Sequence, residues 1–145
     1  MRNAEFDQES VLRAAMNIFM HKGYSKTSMQ DLKKVTGLHP GSIYCAFENK
    51  RGLLLAAIEQ YRKDRSVEFE NIFYGNTKVL VKLKNYLDNI VVECSSGDAA
   101  QACLFTKALS EIAEQDDEIQ QIITNNLNVW HQSLADIFAQ ATISG

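Results

Sequence analysis

VTGLHPGSIYCAFENK, residues 35–50, breaks an otherwise helical chain twice. An amphipathic segment, MQDLKKV, runs into it, and another, RGLLLAAIEQY, runs out of it. Gly37 ends the first, because glycine enters the left-handed conformation that closes a helix without steric penalty. Pro40 suits the first position of a new helix, where its missing N–H costs nothing. Asn49 then offers a side-chain oxygen to cap the helix that follows. The two breaks isolate one short helix, Pro40 to Phe47, between longer neighbours.

Upstream, Val11, Leu12, Ala15, Ile18 and Phe19 recur at helical spacing, predicting a first helix over residues 7–22 closed by Gly23. A second helix is expected to start at Thr27, with Gln30 completing a T-x-x-Q capping box and Met29, Leu32 and Val35 on its apolar face. Downstream, a fourth helix carries Leu53, Leu54, Ala57, Ile58 and Tyr61, with Phe69 and Phe73 further along the same face. Gly75 and Asn76 make the clearest internal break. A fifth helix follows with Val79, Leu80, Leu83, Leu87, Ile90 and Val91, ending near Ser95 to Asp98. A sixth spans about residues 100–114. A seventh begins at Asp116, Asp117 and Glu118, where negative charge meets the positive end of the helix dipole. No stretch reads as a strand, so the fold class is all-α.

The 145 residues suffice for about one average domain with a core. Hydrophobic residues at 46 % and charged residues at 23 % give an ordinary globular balance. No run approaches the roughly 18 apolar residues of a membrane span, and the N-terminal MRNAEFDQES has no apolar segment of a secretory signal. Cys45, Cys94 and Cys103 are odd in number and lack C-x-x-C spacing, which suits a reducing, cytoplasmic setting. The net charge of −3 hides an asymmetry. Residues 1–65 hold eleven Lys and Arg against seven Asp and Glu, whereas residues 66–145 hold four against eleven. A basic head that meets a polyanion and an acidic body that does not is one reading; two differently solvated surfaces is the other.

Two short helices joined across Thr36, Gly37, Leu38 and His39 fit a helix-turn-helix. The outer side of the second is small and polar (Pro40, Gly41, Ser42, Cys45), which lets backbone approach DNA closely; Ile43 and Phe47 anchor its inner side. Lys26 and Thr27 flank it on one side and Lys50 and Arg51 on the other, where they suit phosphates. Spacing alone leaves a tight αα-corner open as the alternative.

The run FMHKGYSKTSMQDLKKVTGLHPGSIYCAFENKRGLLLAAIEQY carries a closer likeness. With Phe19, Gly23, Tyr24, Thr27, Leu32, Gly37, Gly41, Ser42, Ile43, Tyr44, Phe47, Lys50 and Leu53 at the family's spacing, it resembles the N-terminal DNA-binding domain of the TetR family of bacterial transcriptional regulators. The resemblance implies a helix-turn-helix domain over residues 1–50 and a helical, effector-binding regulatory domain over residues 51–145. It implies a homodimeric, ligand-responsive repressor on a palindromic double-stranded DNA operator, with a small-molecule effector. Gly41, Ser42 and Tyr44 would take recognition positions, and Thr27 and Lys50 phosphate positions; the candidate DNA-contacting set adds Lys26, Ser28, His39, Pro40 and Cys45. A serine hydroxyl gives or takes a hydrogen bond, and a tyrosine offers a ring to a thymine methyl.

The chain departs from the family pattern at four places. His39 replaces a small polar cap, Pro40 a longer polar or basic side chain, Cys45 and Ala46 a frequent His and Tyr, and Gly52 an acid that would complete a capping box. The family's dimer interface comes from two further C-terminal helices, which are expected to be absent or truncated here. Candidate effector contacts are Phe69, Phe73, Tyr86, Ile90, Phe105, Leu109, Trp130 and His131, for which plain core packing is the competing reading. Oxidation of Cys45 would add bulk and charge at the groove, although a lone cysteine is usually inert. No phosphate-binding loop, zinc-protease helix or serine elbow occurs, so neither enzyme activity nor a cofactor or metal is expected. The alternative function is a helical protein-interaction module that keeps the fold without specific operator binding.

Overall fold

The computed structural model describes residues 2–75, 77–95 and 110–144. These form α1 (Arg2–Lys22), α2 (Met29–Thr36), α3 (Pro40–Phe47), α4 (Lys50–Phe73), α5 (Val79–Ser95) and α6 (Asp117–Ser144), with one helical turn at residues 110–113 before α6. No strand occurs among the described residues. The sixth helix expected over residues 100–114 lies mostly outside them, as do Cys103, Phe105 and Leu109.

Local chemistry sets the helix ends. Gly23 (φ 89°) closes α1 with its N–H on the Phe19 carbonyl at 2.9 Å, and Gly37 (φ 75°) closes α2 on Lys33 at 2.9 Å. The start of α2 corrects the sequence reading. Ser28, not Thr27, is the N-cap, and Asp31, not Gln30, completes the capping box. The Ser28 hydroxyl accepts from the Asp31 N–H at 3.0 Å while the Asp31 carboxylate accepts from the Ser28 N–H at 2.9 Å. Thr27 is fully buried, and its hydroxyl donates to the Gly23 carbonyl at 2.6 Å. Val35, expected on the apolar face of α2, is 41 % exposed.

One core joins the first three helices to the first half of α4. Leu12, Ala15, Met16 and Phe19 of α1, Leu32 of α2, Ile43 and Phe47 of α3, and Leu53, Leu54, Ala57 and Ile58 of α4 are all buried in it. Each fully buried large side chain contributes about 1.5–3 kcal/mol. Ile119 and Ile123 of α6 belong to the same cluster. The seam is reinforced by polar contacts. Arg51 donates to Asp116 from Nε (2.7 Å) and Nη2 (3.0 Å) and reaches Glu118 from Nη2 at 3.0 Å. Ser25 Oγ donates to Glu111 at 2.8 Å. Asp116 also accepts from the Ile119 N–H at 3.2 Å, capping α6.

Beyond the seam, α4 packs on α5 and α5 on α6. Lys82 donates to the Phe73 (3.1 Å) and Gly75 (2.6 Å) carbonyls, satisfying acceptors at the end of α4.

Candidate nucleic-acid interface

Pro40 begins α3 as expected, and His39 caps it with backbone alone, its imidazole making no capping bond. Ile43 (0 % exposed) and Phe47 (9 %) fix the inner face in the core. Gly41, Ser42, Tyr44 and Cys45 are exposed on the other side, Tyr44 at 49 %. Beyond its chain neighbours and its own helix backbone, no atom lies within 4 Å of where a Cβ on Gly41 would stand, so the backbone there is open to a close-approaching partner. Pro40 is half-buried at the lip of this face, and His39 is exposed.

The hold on α3 lies at its C-terminal end. Glu48 takes φ 72° and ψ −48°, and the Asn49 N–H donates to the Phe47 carbonyl two residues back at 2.9 Å. This is a γ-turn of the uncommon positive-φ kind. Asn49 then caps α4 by accepting from the Gly52 N–H at 2.7 Å. The turn leaves the Phe47 carbonyl against residue 52, where any Cβ would collide with it. Glycine at 52, read from sequence as a lost capping acid, is therefore required sterically.

The described arginine side chains are paired with carboxylates, whereas the lysines are paired only in part. Arg13 pairs with Asp64 (2.9 Å) and Glu9 (3.4 Å), Arg62 with Glu59 (2.6 Å), and Arg65 with Glu68 (2.9 Å). Arg51, expected at a phosphate, is instead tied to Asp116 and Glu118, and its hydrogen bond to Asp116, with the Ile119 amide, holds that carboxyl down at about 2. Lys22 pairs with Asp31 at 2.6 Å; with the Ser28 amide it holds that carboxyl at about 2. Lys26, Lys33, Lys34 and Lys50 have no carboxylate within ion-pair distance among the described residues.

Among the expected DNA contacts, Lys26 and Ser28 are exposed and Lys50 is half-buried at the first position of α4. The Thr27 side chain stands inside the core, its hydroxyl already bonded. Tyr24, a landmark of the sequence but absent from the expected contacts, carries the Lys50 ammonium 4.3 Å from its ring centroid. Partial burial draws that ammonium below the usual lysine range.

The expected effector residues partly converge in the body. Phe69 and Phe73 stand 4.5 Å apart between ring centroids, and Tyr86 meets them at 5.7 and 5.5 Å. Trp130 Nε1 donates to Tyr86 Oη at 2.8 Å, and His131 lies 5.3 Å from the Trp130 ring. Trp130 and His131 line an open hollow with Leu134 and Phe138 on α6, and Ile90 is 37 % exposed on α5. No group of three or more His, Cys, Asp or Glu suited to a metal occurs among the described residues.

Residues 11–57 match the family model described as bacterial regulatory proteins, tetR family. The chain is 25 % identical over 141 residues to the HTH-type transcriptional repressor ComR of Escherichia coli, covering 97 % of this chain and 67 % of that protein. It is 24 % identical over 144 residues to the transcriptional regulator AcuR of Cereibacter sphaeroides, covering 99 % and 66 %. It thus spans about two thirds of the length of these curated relatives. A crystal structure of a TetR-family transcriptional regulator from Agrobacterium tumefaciens superposes with a TM-score of 0.82 at 18 % identity, over 97 % of this chain and 74 % of that one. Residues 11–57 are thus an N-terminal domain of the tetR family of bacterial regulatory proteins, and the chain as a whole is similar in sequence and fold to transcriptional regulators of that family.

Proposed function

We propose that the chain is a ligand-responsive repressor whose residues 1–50 read a palindromic operator and whose residues 51–145 form the regulatory body. The exposed face of α3 carries this reading: Gly41, Ser42, Tyr44 and Cys45 stand clear of the protein, with Lys26 and Lys50 on its flanks free of carboxylates among the described residues. A helix this poor in long side chains brings its backbone close to the major groove, where Ser42 and Tyr44 meet base edges. Lys26, Lys50 and the Ser28 hydroxyl meet phosphates. As a homodimer it would hold two such heads about 34–36 Å apart, one turn of DNA. The aromatic cluster of Phe69, Phe73, Tyr86 and Trp130 is the proposed effector wall, since its polar atoms sit among rings that a flat or apolar molecule would stack on.

Fluorescence anisotropy with duplex DNA flanking its own gene tests this. Specific binding that falls steeply with salt is expected, with Tyr44→Ala relaxing sequence preference and Lys50→Ala lowering the salt slope by about 1. Binding without sequence preference, unchanged in both variants, would overturn it. Sedimentation of the same chain tests the dimer. The second reading, a helical interaction module, draws on the apolar residues exposed on α5 and α6, among them Leu87 (59 %), Val91 (61 %) and Val129 (64 %). It gains if the DNA titration is flat.

A further inference from the structure

We infer that Tyr24 is a positioning residue for operator binding, holding the Lys50 ammonium over its ring so that the charge is presented ready-placed to a phosphate. The inference rests on the reading of Lys50 as a phosphate contact.

A lysine head is a compact charge on a flexible four-carbon stem, with many rotamers to lose when it grips one anion. An aromatic face removes that freedom beforehand, because the negative face of its quadrupole attracts the cation within about 6 Å. Lys50 stands well inside that range at 4.3 Å. It is also half-buried, so part of its hydration is already gone before DNA arrives.

The ring is itself immobilised. Tyr24 packs on Phe19, centroid to centroid at 5.5 Å, and Phe19 is fully buried in the core of the head. Gly23, with φ 89°, turns the chain so that residue 24 folds back onto that core. Beside Lys50 in sequence, Arg51 is drawn away to Asp116 and Glu118, which leaves Lys50 as the cation at the start of α4 free of carboxylates among the described residues. The ring thus sits between the core and the phosphate-facing cation, and no other described aromatic ring stacks on that ammonium.

The test is a cycle of Tyr24→Leu, Tyr24→Phe, Lys50→Ala and Tyr24→Leu/Lys50→Ala in the full chain, titrated against the duplex flanking its own gene at several salt concentrations. Lys50→Ala is expected to weaken binding and reduce the salt slope by about 1. Tyr24→Leu should weaken binding about three- to tenfold with Lys50 present and leave it unchanged once Lys50 is alanine. Tyr24→Phe, which keeps the ring, should restore wild-type affinity. Equal losses from Tyr24→Leu in both backgrounds would mark a structural role and overturn the inference. An unchanged titration for Lys50→Ala alone would sink the phosphate reading beneath it, a separate result. Should Tyr24→Leu not fold, NMR of the wild-type chain decides. The Lys50 ε-methylene resonance, identified by its loss in Lys50→Ala, should be ring-shifted upfield of other lysines, and a position among them overturns the inference.

Discussion

Arg51 and Asp116, 65 residues apart, are joined by two parallel hydrogen bonds of 2.7 and 3.0 Å at the seam between head and body. The planar guanidinium fork matches the carboxylate edge, the geometry in which such pairs are strongest. The pair joins the start of α4 to the residue that caps α6. It therefore lies between the proposed effector-binding body and the reading head.

The pair makes stability depend on acid. In the folded chain the Asp116 carboxyl titrates at about 2, held down by Arg51 first, against about 3.9 when unfolded. Its contribution is complete above the unfolded value and disappears as pH falls from about 4 to about 2. Asp116→Asn should therefore melt below wild type at neutral pH, and the gap should close across that window. A gap of constant size down to the lower limit would show that Asp116 acts without its charge.

The corrected capping box separates two neighbouring hydroxyls. Ser28→Ala and Asp31→Ala should each cost about 1 kcal/mol in urea denaturation, as for other N-caps. Gln30→Ala, at the position sequence reading favoured, should change stability by less than about 0.5 kcal/mol. A large loss at Gln30 with none at Asp31 would reverse the assignment.

Gly41 and Gly52, eleven residues apart, should respond oppositely to alanine. Gly41 is in a helix with open space around its Cβ position, so Gly41→Ala should stabilise by up to about 1 kcal/mol while disturbing the proposed DNA contact. Gly52→Ala drives a methyl into the Phe47 carbonyl, and the helix-propensity gain cannot offset a backbone displacement costing about 1–3 kcal/mol. Thermal melts of the two variants should move in opposite directions.

Ile119 is fully buried in the core it shares with α1 through α4. Ile119→Ala should cost about 2–5 kcal/mol. Amide exchange should then quicken in the head as well as in α6. Exchange that quickens in α6 alone would show that the two regions open independently.

Much of the head was legible in the sequence because its signals are local. Gly37, Pro40 and Asn49 act within one helical turn of where they stand, so α3 falls on the expected residues. The capping box was misplaced by one residue because Thr27 and Ser28 carry the same hydroxyl chemistry; burial of Thr27 decides between them, and burial is a tertiary property. Arg51 reads as a phosphate grip until Asp116 is brought to it from the far end of the chain. Ile119 shows an apolar periodicity without revealing that its partners lie in the head. In the body, Phe69, Phe73 and Tyr86 come into ring contact, and the bond from Trp130 to Tyr86 joins helices whose pairing no local pattern specifies.

The division of cations has a consequence for how the head meets its target. Arg13 of α1 and Arg51, Arg62 and Arg65 of α4 are each held by a carboxylate, so among the described side chains of these helices and their neighbours the cations free of carboxylates are lysines. An ammonium attracts an anion with little preference for its orientation, whereas a guanidinium fork demands alignment. As proposed phosphate contacts, the flanks of this head would therefore supply adhesion without angular information. On the proposed operator reading, docking angle would fall to the rigid body of α3, set by one γ-turn and one glycine, and sliding along DNA before that helix engages would meet little geometric friction.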